Sequence, residues 1–284
     1  MTSSLFAGLG LALASAGALN WSYFAQHGAA STLPPLSLRR PLASLRLLFG
    51  QGRWLAGFLV GIGGWVLYVA ALALAPLSLV QAASAGGIGL LALLVSRDAG
   101  LAVRERRGVV VSIAGLALLA GSLSGQSGHG SRGSWPAVVA WVGVSVAAAG
   151  ASAMLGRSRG ASLGLAAGIL YAAGDVATKA AVPGGGRLAF VPVLLACHGL
   201  AFVALQLGFQ RGGALATAGV ATLFTNALPI AAGTTLFGEG LGSVPPLRAA
   251  AFGLTVAGAT LLARPAPAEE PAGFVGGAPR VTSD

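Results

Sequence analysis

Apolar residues in this chain run in long blocks, not in the short i, i+3, i+4 groups of a soluble helix, and the charge sits between the blocks. About nine such blocks can be drawn, at residues 4–26, 54–75, 77–96, 108–124, 136–155, 162–182, 188–210, 214–237 and 247–264. A helix of roughly 20 apolar residues crosses the hydrocarbon core of a bilayer. The pattern therefore predicts an all-α integral membrane protein with about nine, at most ten, transmembrane helices. No Lys or Arg precedes Arg39, so the first block lacks the basic flank of a signal peptide and is expected to be a retained span. Residues 33–50 alternate leucines with Pro34, Pro35, Arg39, Arg40, Pro41 and Arg46, too charged to cross. They read as an interfacial segment, or else as a reduced tenth span. The stretch 265–284, rich in Pro, Gly and Ala, is predicted to be a disordered cytoplasmic tail.

Composition removes most other classes of function. Of 284 residues 55% are hydrophobic, 45 are Gly and 8% are charged, and the mean hydropathy is +0.82. A soluble domain carries about three times that share of charge. The net charge of +10 is spread between apolar runs and forms no basic surface, so no nucleic-acid partner is predicted. The lone Cys197 allows no internal disulfide, and no Cys/His cluster suggests a metal. Neither a catalytic triad nor an HExxH spacing occurs. The Gly61-Ile62-Gly63-Gly64 and Gly184-Gly185-Gly186 pieces lack the strand-to-helix context of a phosphate loop. Neither enzyme activity nor a cofactor is expected.

Basic residues alternate between connections. Arg39, Arg40, Arg46, Arg53, Arg97, Arg104, Arg106, Arg107, Arg157, Arg159, Arg211, Arg264 and Arg280 fall on one side, and Arg132, Lys179, Arg187 and Arg248 on the other. By the positive-inside rule this places the C-terminus in the cytoplasm, and the bias of sixteen Arg to one Lys, expected of a GC-rich bacterial genome, suggests a bacterial inner membrane.

The chain also resembles itself. Ala114-Gly115-Leu116-Ala117-Leu118-Leu119-Ala120 is echoed by Ala257-Gly258-Ala259-Thr260-Leu261-Leu262-Ala263. Each copy follows a span that ends near an acid, Asp98 or Glu239. The shift is five spans, an odd number, so two such repeats, 1–124 and 136–264, would cross the membrane in opposite senses.

Several stretches are similar to one known family. They are Trp54-Leu55-Ala56-Gly57-Phe58, the run from Ala73 to Gln81, the helix from Gly108 to Gly121, Gly174-Asp175-Val176-Ala177-Thr178-Lys179 and Leu236-Phe237-Gly238-Glu239, with Gln26-His27-Gly28 as a weaker element. In these the chain resembles the drug/metabolite transporter superfamily of EamA type, closest to its NIPA-type magnesium transporter branch. Arg97-Asp98 departs from the acidic turn usual in the first repeat. The resemblance implies two inverted halves around a central cavity, moving small solutes by alternating access.

An ionised residue deep in a membrane span is a candidate functional group, because its burial is otherwise costly. Asp175 is the one acid at such depth. Lys179 at i+4 and Tyr171 at i−4 share its helix face. An intrahelical Asp175–Lys179 pair would neutralise both charges, and would equally serve as a binding or proton-coupling element. His198 is a candidate proton relay or a packing residue, and Gln206 continues its face two turns on. Asn226 with Thr222, Thr225 and Pro229 forms a polar, bent stretch in the eighth block. Gln81 with Ser84, Gly86, Gly87 and Gly89 does the same in the third. Trp21, Tyr23, Trp54, Trp135 and Trp141 are expected as interface anchors. Trp65 and Tyr68 lie deeper and could wall an organic substrate.

These residues predict a cavity built from the second, third, sixth, seventh and eighth blocks. The leading expectation is a proton-coupled secondary transporter of a small polar metabolite or drug-like solute. The alternatives are a magnesium or other divalent-cation transporter, with Asp175 as the metal-binding acid, and a non-transporting membrane subunit. The predicted partners are a small molecule or ion and the lipid bilayer, with a homodimer left open.

Overall fold

The computed structural model describes residues 2–37, 39–84, 86–122, 131, 133–156, 159–239 and 245–263. The expected tail at 265–284 and Arg132, Arg157, Arg264 and Arg280 lie outside the described residues. Among the described residues all regular structure is helical: α1 (Thr2–Ala30), α2 (Pro41–Phe49), α3 (Gly52–Leu74), α4 (Leu77–Ser84), α5 (Gly87–Ala99), α6 (Val103–Ser122), α7 (Trp135–Leu155), α8 (Arg159–Ala181), α9 (Val191–Phe209), α10 (Val220–Leu236) and α11 (Pro245–Ala263). A 3₁₀ stretch, Gly185–Phe190, leads into α9, and a π-helical turn, Leu215–Gly219, leads into α10.

Among the described residues seven stretches are long and apolar enough to span a membrane, with α4 and α5 counted as one. The expected blocks at 108–124 and 247–264 form α6 and α11, whose apolar length is smaller. Helix α6 begins with Arg104, Glu105, Arg106 and Arg107, and the apolar part of α11 is Ala250–Ala263. The protein is thus an all-helical, multi-pass membrane protein with seven candidate spans.

Residues 34–37 are irregular and α2 follows, starting at Pro41, whose missing N–H and fixed φ suit a first helical position. Leu48 of α2 is buried, while Leu42, Leu45, Leu47 and Phe49 are exposed. Its apolar face therefore turns outward from the bundle. Gln210 ties this segment to the bundle: its Oε1 accepts from the Leu36 amide at 2.8 Å and its Nε2 donates to the Pro34 carbonyl at 3.0 Å.

Small residues let the helices approach closely, as packing in lipid requires. Along α3, Gly57, Gly61 and Gly64 lie against Ala25, Ser22 and Ala18 of α1, so the two helices run antiparallel. A Cβ on Gly57 would stand 3.1 Å from that of Ala25. On α8, Gly160, Gly164 and Gly168 meet Gly212, Thr217 and Ala221, which makes α8 and α10 parallel. Its partner α9 runs antiparallel to it, with His198 against Gly174 and Gly208 near Leu163. Helices α6 and α11 cross antiparallel through Gly108, Gly115 and Gly258. A Cβ on Gly115 would be 2.8 Å from the Thr255 amide nitrogen.

Candidate functional site

Where α3 turns into α4 the chain passes through Ala75 and Pro76, and the first N–H groups of α4 need acceptors. Glu239 supplies one from the end of α10: its Oε1 accepts from the Leu77 amide at 2.8 Å. Gly238, at φ +60°, makes the left-handed turn that delivers Glu239 there. Lys179 joins the same knot, with Nζ 3.9 Å from Glu239 Oε1 and donating to the Ala75 carbonyl at 3.4 Å. The intrahelical Asp175–Lys179 pair expected from the i+4 spacing is therefore not formed. The long Lys179 side chain reaches the carboxylate and carbonyl at the α3–α4 turn instead.

Freed of Lys179, Asp175 points into the bundle. Gln81 Nε2 donates to its Oδ2 at 2.9 Å and to the Tyr68 hydroxyl at 2.8 Å, and His198 Nε2 lies 3.5 Å from its Oδ1. His198 is held by its other nitrogen, Nδ1, 2.8 Å from the Leu194 carbonyl. Trp65 and Tyr171 meet the imidazole edge-on, each with ring centroids 5.7 Å away. Gly174 lets the His198 ring approach α8 closely, since a Cβ there would collide with Nδ1 and Cε1 of the imidazole.

These groups border one void of about 350 Å³, within the range of small-molecule sites. Of the residues singled out from sequence, Asp175, Tyr171, Asn226, Gln81, His198, Trp65 and Tyr68 all line it, with Ser84, Thr222 and Thr225 beside them. Lys179 and Gln206 do not. Gln206 sits below the void, accepting from Trp54 Nε1 at 3.0 Å and donating to Gln26 Oε1 at 2.5 Å. In this buried chain Trp54 stacks on Phe58 and meets Phe202 edge-on, and Gln26, Phe58 and Phe202 line the end of the void away from Lys179 and Glu239.

Helix α1 is the element that sequence reasoning missed. Ala16, Leu19, Asn20, Ser22, Tyr23 and Gln26 all face the void, so the cavity draws on the first block as well as the five expected. Tyr23 is not an interface anchor, and Trp54 is fully buried against Gln206. The available signal was the row of polar residues Ser15, Asn20, Ser22 and Gln26 in an otherwise apolar span, all of them buried. Trp135, by contrast, is exposed, stacks on Phe190 and carries Arg187 over its ring, as suits a membrane interface.

Four residues of the lining each carry a buried polar atom without a partner: Asn20 Oδ1, Asn226 Oδ1, Thr222 Oγ1 and Trp65 Nε1. Both asparagines use their Nδ2 on their own helix, Asn20 on the Ala16 carbonyl at 2.9 Å and Asn226 on the Thr222 carbonyl at 2.7 Å. That fixes each amide oxygen as the free end. Pro229 has no N–H to offer the Thr225 carbonyl one turn earlier, which adds acceptor capacity to the same wall. Buried polar groups are normally satisfied, so unpartnered ones around a cavity point to something that occupies it.

Comparison with family models, with curated proteins and with solved structures gave no match.

Proposed function

We propose that this protein is a proton-coupled secondary transporter of the drug/metabolite-transporter kind, moving a small polar or drug-like solute by alternating access across a bacterial cytoplasmic membrane. The observation that carries this reading is the void of about 350 Å³ enclosed between α1, α3, α4, α8, α9 and α10. It is bordered by Asp175 and by polar groups from both halves of the chain.

The helix pairing supports the inverted-repeat part of the reading. In the first half α1 runs antiparallel to α3 and parallel to α4 and α5, and in the second α8 runs antiparallel to α9 and parallel to α10. The sequence echo falls on α6 and α11, and these cross antiparallel. Two halves of matching arrangement and opposite sense would give a carrier two equivalent ways to open. Nine spans, with α6 and α11 as the fourth and ninth, a cytoplasmic C-terminus and a homodimeric assembly complete the proposal.

A specific feature favours a second reading, a magnesium carrier. Asn20 Oδ1, Asn226 Oδ1 and the Asp175 carboxylate are hard oxygen donors of the type Mg²⁺ takes alongside its retained waters. Against it, no group of three or more His, Cys, Asp or Glu side chains gathers among the described residues.

Flux into proteoliposomes tests both readings. Solute accumulation that follows an imposed pH gradient and is lost in Asp175→Asn supports the first. Magnesium flux independent of pH and lost in the same variant supports the second. No flux of any solute, with a membrane partner co-purifying, would favour a non-transporting subunit and contradict both.

A further inference from the structure

The chemistry lining the void specifies the charge and hydrogen-bonding character of its occupant. Among the described residues Asp175 is its one acid, and no Lys or Arg lines it. The unpartnered polar atoms of its lining residues are two amide oxygens, Asn20 Oδ1 and Asn226 Oδ1, which only accept, the Thr222 hydroxyl, and one donor, the Trp65 indole N–H. Trp65, Tyr68 and Tyr171 put aromatic rings around the same space. A carboxylate, unsatisfied acceptors and ring faces together suit a cation that bears N–H donors and an apolar body. Mg²⁺ would leave the ring faces unused, and a carboxylate-bearing solute would be repelled by Asp175.

The His198 geometry adds a proton. A backbone carbonyl only accepts, so Nδ1, 2.8 Å from the Leu194 oxygen, carries a hydrogen. In neutral His198 the Nε2 lone pair would then face Asp175 Oδ1 at 3.5 Å, lone pair to lone pair. The pair is reconciled by one shared proton, as imidazolium with carboxylate or imidazole with carboxylic acid. The other groups facing Asp175 are Gln81, Tyr68, Tyr171 and Tyr23, with the Lys179–Glu239 pair one turn away.

We propose that the void binds a protonated primary or secondary amine with an aromatic or aliphatic body, in exchange for the single proton that Asp175 and His198 hold between them. When the ammonium enters, that proton leaves to water, no covalent bond is made, and the charge in the cavity is unchanged. One amine therefore counters one proton, and the exchange is electroneutral. Binding stands on the lining chemistry alone; the exchange rests on the carrier reading above.

The test uses the full chain in detergent with 2-phenylethylamine as probe, read by quenching of tryptophan fluorescence and by proton release into weakly buffered solution. Saturable quenching with one proton released per amine is expected. Removing the charged partner in Asp175→Asn should weaken binding by roughly 10- to 100-fold. Asn226→Leu, which keeps the carboxylate, should weaken it by about tenfold, and each variant's melting temperature shows whether it has folded. 2-Phenylethanol, phenylacetate and Mg²⁺ should not compete. Equal binding of 2-phenylethanol, competition by Mg²⁺, unaltered binding in a folded Asp175→Asn, or no binding at all overturns the proposal. PH-driven flux of some neutral or zwitterionic solute, alongside no amine binding, would overturn it while leaving the carrier reading intact.

Discussion

Lys179 pairs with Glu239, 3.9 Å away at the far end of α10, and not with Asp175 one turn behind it on its own helix. That choice leaves the Asp175 carboxylate available to the void. It also fastens the α3–α4 turn to the end of α10, because the Glu239 oxygen near Lys179 receives the Leu77 amide as well. Structure and chemistry thus divide between two acids of which one is tied up and the other is poised.

Glu239 is fully buried, and Lys179 nearly so. Replacing Glu239 by Ala strands a buried ammonium and an uncapped N–H, and should cost about 3–5 kcal/mol. Replacing both partners, as Lys179→Met with Glu239→Leu, should recover part of the loss. Thermal unfolding of the purified variants checks this, and the double variant should melt above Glu239→Ala.

Gly174 is the floor on which His198 rests. In Gly174→Ala the new methyl must push the imidazole away from Asp175, so proton-coupled flux should fall by at least about tenfold. The backbone there is ordinary helix and alanine favours helices, so unfolding should shift far less than flux. Parallel flux and melting measurements separate the two effects.

How much of this was legible in the sequence depends on distance along the chain. Asp175, His198, Gln81 and Asn226 stand out because each is polar where the surrounding block is apolar, and the structure brings them to one void. The i+4 spacing of Asp175 and Lys179 was equally visible but pointed to the wrong pair. A helix face says which residues are neighbours along one axis, not which carboxylate on another helix comes within reach of a long side chain. Gln26 and Gln206 meet across 180 positions, and neither carries a sign of that in its local pattern. The polar row of α1 was concealed by small residues that lowered its contrast. The span count was limited by α6 and α11, whose apolar runs are short and, in α6, preceded by Arg104, Glu105, Arg106 and Arg107.

The Trp54–Gln206–Gln26 chain lies at the end of the void opposite Lys179. Gln206→Leu removes the acceptor for the indole N–H and the donor for Gln26 at once, leaving two buried polar groups unpaired. A loss of about 1–3 kcal/mol is expected, together with faster leak through that end. Melting temperature and passive solute leak from loaded proteoliposomes check the two consequences.

Helices α6 and α11 touch backbone to backbone at Gly115 and Gly258. Gly258→Leu has no space against Ser112 and should destabilise the fold by about 1–3 kcal/mol. The same change at Gly253, which has nothing within 4 Å, should be close to neutral. Comparing the two in one melting experiment isolates the crossing from any general effect of adding a side chain to α11.

Access to the void from both faces of the membrane is the heart of the account, and one labelling experiment addresses it. Cys197 is the chain's single cysteine. In a Cys197→Ser background, Ser84→Cys places a lone thiol on the cavity wall. A membrane-impermeant thiol reagent is then applied to one side or the other of oriented vesicles. Reaction from either side, slowed when a transported solute fills the cavity, is the expected result. A thiol that reacts from neither side, while a control cysteine in the 33–50 segment labels fully, would contradict it.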